Sequence, residues 1–256
     1  MGHGHRDDDL VKHLRRAADV FANRTAVVWK STRLSYAEYA ARVSCLASAL
    51  ARRGIQPGDV VATLLPNIPA QAEAHFAVPA CGAVLNTINT RLDPDTVAYI
   101  FGHAGAKILL CDTAFLPLAQ EAIRRMQGPA PEIIEVVDHG FTATGTYLTY
   151  EDFLAKGDPT APWLMPEDEW ESIAINYTSG TTGFPKGVMN PQLLTCSVRE
   201  HVEDYREPAD IGPYLMVGPM YHAGTLGILR RLTGGRPIIV MKQFTALGAL
   251  EAIQRY

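Results

Sequence analysis

The chain reads as an α/β protein whose sheets are mostly parallel and flanked by helices, on three observations. Short apolar runs recur: Val60–Leu65, Ile108–Cys111 and Ile133–Val137. Segments of helical length separate them, and Gly, Pro, Asn and Asp punctuate the junctions. A continuous apolar run implies a strand covered on both faces, and strands alternating with helices favour parallel pairing through helical crossovers.

The clearest helix is Ser35–Arg53. Ser35 and Glu38 have the spacing of a capping box, and Gly54 stands where a glycine ends a helix. Tyr36, Tyr39, Ala40, Val43, Leu46, Ala47 and Leu50 repeat at helical spacing, so one face is core and both tyrosines are packing residues. Gln56-Pro57-Gly58-Asp59 turns the chain into the strand Val60–Leu65, which Pro66-Asn67 breaks. A helix follows from Pro69 to Cys81, and another opens at Asp93-Pro94. Then come the strand Ile108–Cys111, a helix over Ala114–Met126 and the strand Ile133–Val137. Asp138–Glu169, richer in Gly, Pro, Thr and acids, reads as a connecting region. This divides the chain into a first α/β subdomain with its connection, residues 1–169, and a phosphate loop with an incomplete second α/β subdomain, residues 170–256. In the second part Ile173–Tyr177 is a strand, Leu215–His222 a strand ending in a polar tip, Ile238–Met241 a further strand, and Thr245–Tyr256 a helix.

Bulk properties exclude several classes. A 256-residue chain that is 47% apolar and 20% charged has material for a sizeable core. A net charge of −4 argues against a nucleic acid as main partner. Cys45, Cys81, Cys111 and Cys196 show no ligand spacing and read as small buried hydrophobes in a reducing compartment. No metal site is expected from protein ligands alone. The uncharged run Ile211–Leu229 contains Pro213, Pro219, His222 and four glycines, a poor continuous helix, so no membrane span is expected. Met1–Arg6 lacks the apolar core of a signal peptide, and a cytoplasmic location is the expectation.

The most informative segment follows the strand Ile173–Tyr177: Thr178-Ser179-Gly180-Thr181-Thr182-Gly183-Phe184-Pro185-Lys186-Gly187. Its glycines let backbone amides close on an anion, while four hydroxyls and one ammonium supply donors and charge. This is a phosphate cradle. It differs from the common P-loop, since Pro185 precedes the lysine and Gly187 follows it.

Residue for residue, this stretch resembles the signature of the acyl-adenylate-forming (AMP-binding) superfamily, which includes acyl-CoA synthetases, luciferases and peptide-synthetase adenylation domains. Leu34–Glu38 with Gly58–Val61, Gly82–Asn89, Gly218–His222 and Val240–Phe244 are similar to further landmarks of acyl-CoA synthetases in the same order. The resemblance implies a fatty-acid–CoA ligase using ATP, Mg²⁺ and coenzyme A, with small-molecule partners and no nucleic acid. Thr178, Ser179, Gly180, Thr181, Thr182, Gly183 and Lys186 would bind the nucleotide, Lys186 acting catalytically on the β- and γ-phosphates. His222 and Gly224 would line the acyl site, in a segment whose small residues favour a thin acyl chain.

Two differences from the family pattern are local: Met189-Asn190-Pro191-Gln192 stands where many relatives carry Ser or Thr and then His, and Thr245 where they often carry Asp. A larger one is length. The family's later magnesium-proximal, ribose-binding and C-terminal lysine motifs do not occur up to Tyr256, so the chain is expected to be an N-terminal portion, cut within its second subdomain and inactive alone. The alternative is a non-catalytic nucleotide- or acyl-binding module.

Overall fold

A computed structural model describes residues 10–165, 168, 170–178, 184–191, 212–222, 228, 231–232 and 234–256. The described elements begin with α1 (Leu10–Val20), β1 (Thr25–Trp29), β2 (Thr32–Ser35) and α2 (Tyr36–Arg52). There follow β3 (Val60–Leu64), α3 (Pro69–Ala80), β4 (Val84–Thr87), α4 (Pro94–Ala104), β5 (Ala106–Asp112), α5 (Leu116–Arg125) and β6 (Glu132–Val136). The chain continues through β7 (Leu148–Thr149), α6 (Tyr150–Leu154), β8 (Ser172–Tyr177), β9 (Gly187–Pro191), β10 (Tyr214–Met216), β11 (Ile238–Val240) and α7 (Ala246–Arg255).

A seven-stranded sheet runs β7-β6-β5-β3-β4-β8-β9, and a four-stranded sheet runs β10-β11-β1-β2. All neighbours are parallel except β8 with β9 and β1 with β2. The expected α/β class with mostly parallel sheets is what forms. Sheet membership crosses position 169 in both directions: β1 lies beside β11, Val27 opposite Ile238, and β8 lies beside β4, Leu85 opposite Ala174. The small sheet therefore needs residues from both ends of the chain.

One face of the large sheet carries α4 and α5, packed through Val97, Ile100, Phe101, Leu116 and Ala119. The other carries α2 and α3, and α2 in turn packs on β1 and β2 of the small sheet. Helix α3 is therefore enclosed, with every residue from Ala70 to Ala80 buried. An enclosed helix must be apolar or have its polar groups satisfied internally. Five of its residues are alanines, and Glu73 and His75 both find partners. The Glu73 carboxylate accepts from Arg42 Nε at 2.6 Å and from the Tyr150 hydroxyl at 2.6 Å.

The capping box at Ser35 forms as expected: its hydroxyl accepts from Glu38 N–H, and the Glu38 carboxylate accepts from Ser35 N–H. Gly54 adopts φ +94°, a conformation costly for any side chain. Tyr36 and Tyr39 are fully buried and donate to the carbonyls of Arg236 and Ala72. Asp93 caps α4 with Pro94 in its first turn, and Thr245 caps α7.

Several expectations are corrected. The strand expected over Leu215–His222 ends at Met216, because Gly218-Pro219 cannot continue a ladder and the chain turns, His222 N–H donating to the Pro219 carbonyl at 3.1 Å. The connecting region contains β7 and α6, the latter capped by Thr149. Helix α1 and strands β1, β2, β4 and β9 were not expected as elements. Among the described residues no helix is long and apolar enough to cross a membrane, and Cys45, Cys81 and Cys111 are free thiols.

Candidate functional site

In open α/β sheets ligands bind outside the carboxyl ends of parallel strands. Here β3, β4 and β8 are adjacent and parallel, so the residues following them share one edge. At the end of β8 the chain turns back antiparallel into β9, with Tyr177 opposite Gly187. The neck is closed by Thr178 N–H donating to the Lys186 carbonyl at 3.0 Å. Thr178 and Lys186 thus face each other at the mouth of a hairpin, both side chains exposed. A Cβ at Gly187 would meet Ile175 Cδ1 at 2.9 Å and Tyr177 Cζ at 3.3 Å, so a side chain there would have to displace these neighbours. Ser179, Gly180, Thr181, Thr182 and Gly183 lie outside the described residues, as does Gly224.

The second component is Gly218–His222. It is fastened onto the same edge by side chains that the sequence reading did not single out. Asn67, just after β3, donates to the Gly218 carbonyl and accepts from Met220 N–H, each at 2.8 Å. The Thr87 hydroxyl, at the end of β4, lies 3.0 Å from Asn176 Oδ1 and 3.1 Å from the Tyr221 carbonyl. Asn86 donates to the Ile175 carbonyl at 2.8 Å. His75 on α3 bonds the Met220 carbonyl through Nε2 at 3.1 Å. These contacts bring His222, exposed at the end of this turn, to the strand edge that carries the loop holding Lys186. The available signal was polar residues placed against apolar strands: Asn67 after a break, and Asn86-Thr87 within an otherwise buried run.

His75 makes this fastening pH-dependent. Burial pushes its imidazole down to about 4, against the raising effect of its bond to Met220. Because the folded value lies below the unfolded one of about 6.5, the unfolded chain binds more protons between those limits and stability rises with pH. The contribution is complete above about pH 6.5 and is lost as pH falls toward 4. Urea unfolding at pH 7 and pH 5 should show a loss of about 2 kcal/mol attributable to this group. His75→Gln should lack that part of the slope, and an unchanged slope contradicts the assignment.

A cleft of about 640 Å³ opens elsewhere, lined by Trp29, Leu34, Arg42, Glu73, Asp138 and Phe141 among others. Its charges are already matched: Arg42 with Glu73 and Glu151, Asp138 with Lys242 at 2.6 Å. The loop edge, with Lys186 exposed, is the better candidate for an anionic ligand. Among the described residues no group of three His, Cys, Asp or Glu side chains could hold a metal ion.

Comparison with known proteins identifies the family of the chain. Residues 14–256 match the family model of the AMP-binding enzyme. An acetate/butyrate–CoA ligase of Arabidopsis thaliana, described as peroxisomal, is 44% identical over 189 residues, 69% of this chain and 33% of that protein. An acetate–CoA ligase of Humulus lupulus is 36% identical over 264 residues, 95% of this chain and 45% of that protein. The inhibitor-bound N-terminal domain of FACL13 from Mycobacterium tuberculosis superposes with a TM-score of 0.79 at 27% identity, covering 96% of this chain and 60% of that one. An anthranilate–CoA ligase solved with anthranoyl-AMP gives a TM-score of 0.86 at 22% identity, over 97% of this chain and 48% of that one, a likeness of fold. The chain spans a third to just under half of the curated relatives named here. On the match across nearly its whole length, the chain belongs to the AMP-binding enzyme family, and it is similar to part of the acyl-CoA ligases of that family.

Proposed function

We propose that this chain supplies the nucleotide-binding part of an ATP-dependent acyl-CoA synthetase, which activates a carboxylic acid as its acyl-adenylate and passes the acyl group to coenzyme A. The observation that carries this reading is the meeting of two segments at one strand edge. The Thr178–Lys186 hairpin and the Gly218–His222 turn are tied together there through Thr87, Asn176 and Tyr221.

A carboxylate is a poor electrophile, and joining its oxygen to the α-phosphate of ATP gives it a leaving group. The obstacle is the approach of two anions. In this reading the Lys186 ammonium stands against the β- and γ-phosphates, where charge grows as pyrophosphate departs. The hydroxyls of Thr178, Ser179, Thr181 and Thr182, with the amides of Gly180 and Gly183, hold the phosphate oxygens. Mg²⁺, where present, is carried by the triphosphate rather than by a cage of protein carboxylates. His222 borders the acid and selects its shape. Gly224 would line the same pocket.

Relatives named for acetate and butyrate make short aliphatic acids the first substrates to try; longer fatty acids remain the reading of the small residues after His222. Activity is a property proposed for the product of the full reading frame, with this span alone proposed to be inactive. The test is ATP–pyrophosphate exchange by that product across straight-chain acids of increasing length. Exchange that requires an acid and ranks the acids by length supports the reading. ATP binding with no acid-dependent exchange favours a nucleotide-binding module instead.

A further inference from the structure

Both arms of the phosphate hairpin rest on a single helix. On the outgoing arm, the Tyr177 hydroxyl lies 2.7 Å from His103 Nδ1, and the two rings meet edge to face with centroids 5.7 Å apart. On the returning arm, the Phe184 ring stacks on Tyr99, centroids 4.9 Å apart and planes 26° from parallel. Tyr99 in turn stacks on His103 at 5.2 Å and 30°. Tyr99 and His103 sit at i and i+4 on α4, one turn apart on the same face. The order of rings is therefore Phe184, Tyr99, His103, Tyr177, a ladder that ties residue 184 to residue 177 around the neck of the loop.

We propose that Tyr99 and His103 are positioning residues for the phosphate loop, holding its Phe184 arm and thereby fixing where the ammonium of Lys186, two residues on, meets a nucleotide phosphate. This rests on the reading of the hairpin as a nucleotide site given above. Phe184 is 75% exposed, so general burial does little to fix it, and the face against Tyr99 is what defines its place. Burial pushes the Tyr177 hydroxyl up to about 12. It therefore keeps its proton at neutral pH and can donate to His103. Neither α4 residue touches substrate in this arrangement: their effect reaches the phosphate only through the loop.

The experiment compares Tyr99→Leu, which removes the stacking ring, with Tyr99→Phe, which keeps it, and adds Phe184→Ala at an exposed position where folding should be unaffected. Two quantities are read on this chain: the rate of tryptic cleavage after Lys186, followed by mass spectrometry, and the affinity for ATP in the presence of Mg²⁺. Loss of one aromatic pair should change the population of the held arm by about three- to tenfold. Tyr99→Leu and Phe184→Ala should therefore speed cleavage after Lys186 and weaken ATP binding by that factor, while Tyr99→Phe restores wild-type behaviour in both. Equal behaviour of the Leu and Phe variants, or unchanged cleavage in Phe184→Ala, overturns the proposal. If the wild-type chain binds no ATP yet the variants still show faster cleavage rescued by Tyr99→Phe, the nucleotide reading fails while the positioning of Lys186 by the ladder holds.

Discussion

Lys186→Met is expected to lower ATP–pyrophosphate exchange by about a hundredfold or more in the product of the full reading frame, while affinity for the carboxylic acid stays within about threefold. The lysine is exposed at the neck of the hairpin, where the Thr178 amide holds its carbonyl and leaves the side chain directed by the loop. A cation so placed meets little charge in the free acid and most charge in the departing pyrophosphate. Its contribution thus grows toward the transition state, the condition for acting on rate rather than on binding. Exchange and acid affinity measured side by side separate the cases: equal losses in both would place Lys186 on the acid instead.

The second large effect is expected far from the loop. Arg42→Met should destabilise the chain by about 3–5 kcal/mol, because it leaves the Glu73 carboxylate buried without its cation. Glu73 is fully buried on α3, and the Tyr150 hydroxyl alone would then face it. Glu151, the other partner of Arg42, is 69% exposed, so Glu151→Ala should cost only about 1 kcal/mol or less. Urea denaturation of the two variants checks the contrast, and similar losses for both would mean that the buried pair is not what ties α2 to α3.

How far the sequence discloses this molecule depends on whether the signal is local. The α2 boundaries were legible because Ser35, Glu38 and Gly54 each impose local geometry, and they do so in the structure. The strands β3, β5 and β6 were legible as short runs rich in apolar residues, β6 despite Glu135 within it. Helix α6 was missed although Thr149 and Asp152 form a cap of the same kind, since the surrounding Gly, Thr and acids read as a connection. The pairing of β1 with β11 was not legible, because a partner some two hundred residues away leaves no mark on a short apolar segment. Of the candidate site, the loop declared itself through its spacing of Gly, Thr and Lys. The residues that fasten its neighbourhood did not: Asn67, His75, Thr87, Tyr99 and His103 each look ordinary alone and acquire a role only when α3, α4 and the strand ends converge.

The same convergence frames the side proposed to take the acid. Its framing residues, Asn67 and His75, fix the backbone of Met220, and through it the start of the segment that carries His222. A size change at that segment would alter the preference among acids by about 1–3 kcal/mol per misfitted methylene, a specificity effect smaller than the loss of the Lys186 charge.

The central claim is that a carboxylate oxygen attacks the α-phosphate of ATP at the strand edge carrying Lys186. Isotope transfer tests it most directly. The product of the full reading frame is incubated with ATP, coenzyme A and a short aliphatic acid labelled with ¹⁸O in its carboxylate, and the phosphorus-containing products are analysed by mass. The account predicts one labelled oxygen in AMP, none in pyrophosphate, and loss of the label transfer in Lys186→Met. Label in orthophosphate, or AMP formed without label, would mean that activation does not pass through an acyl-adenylate.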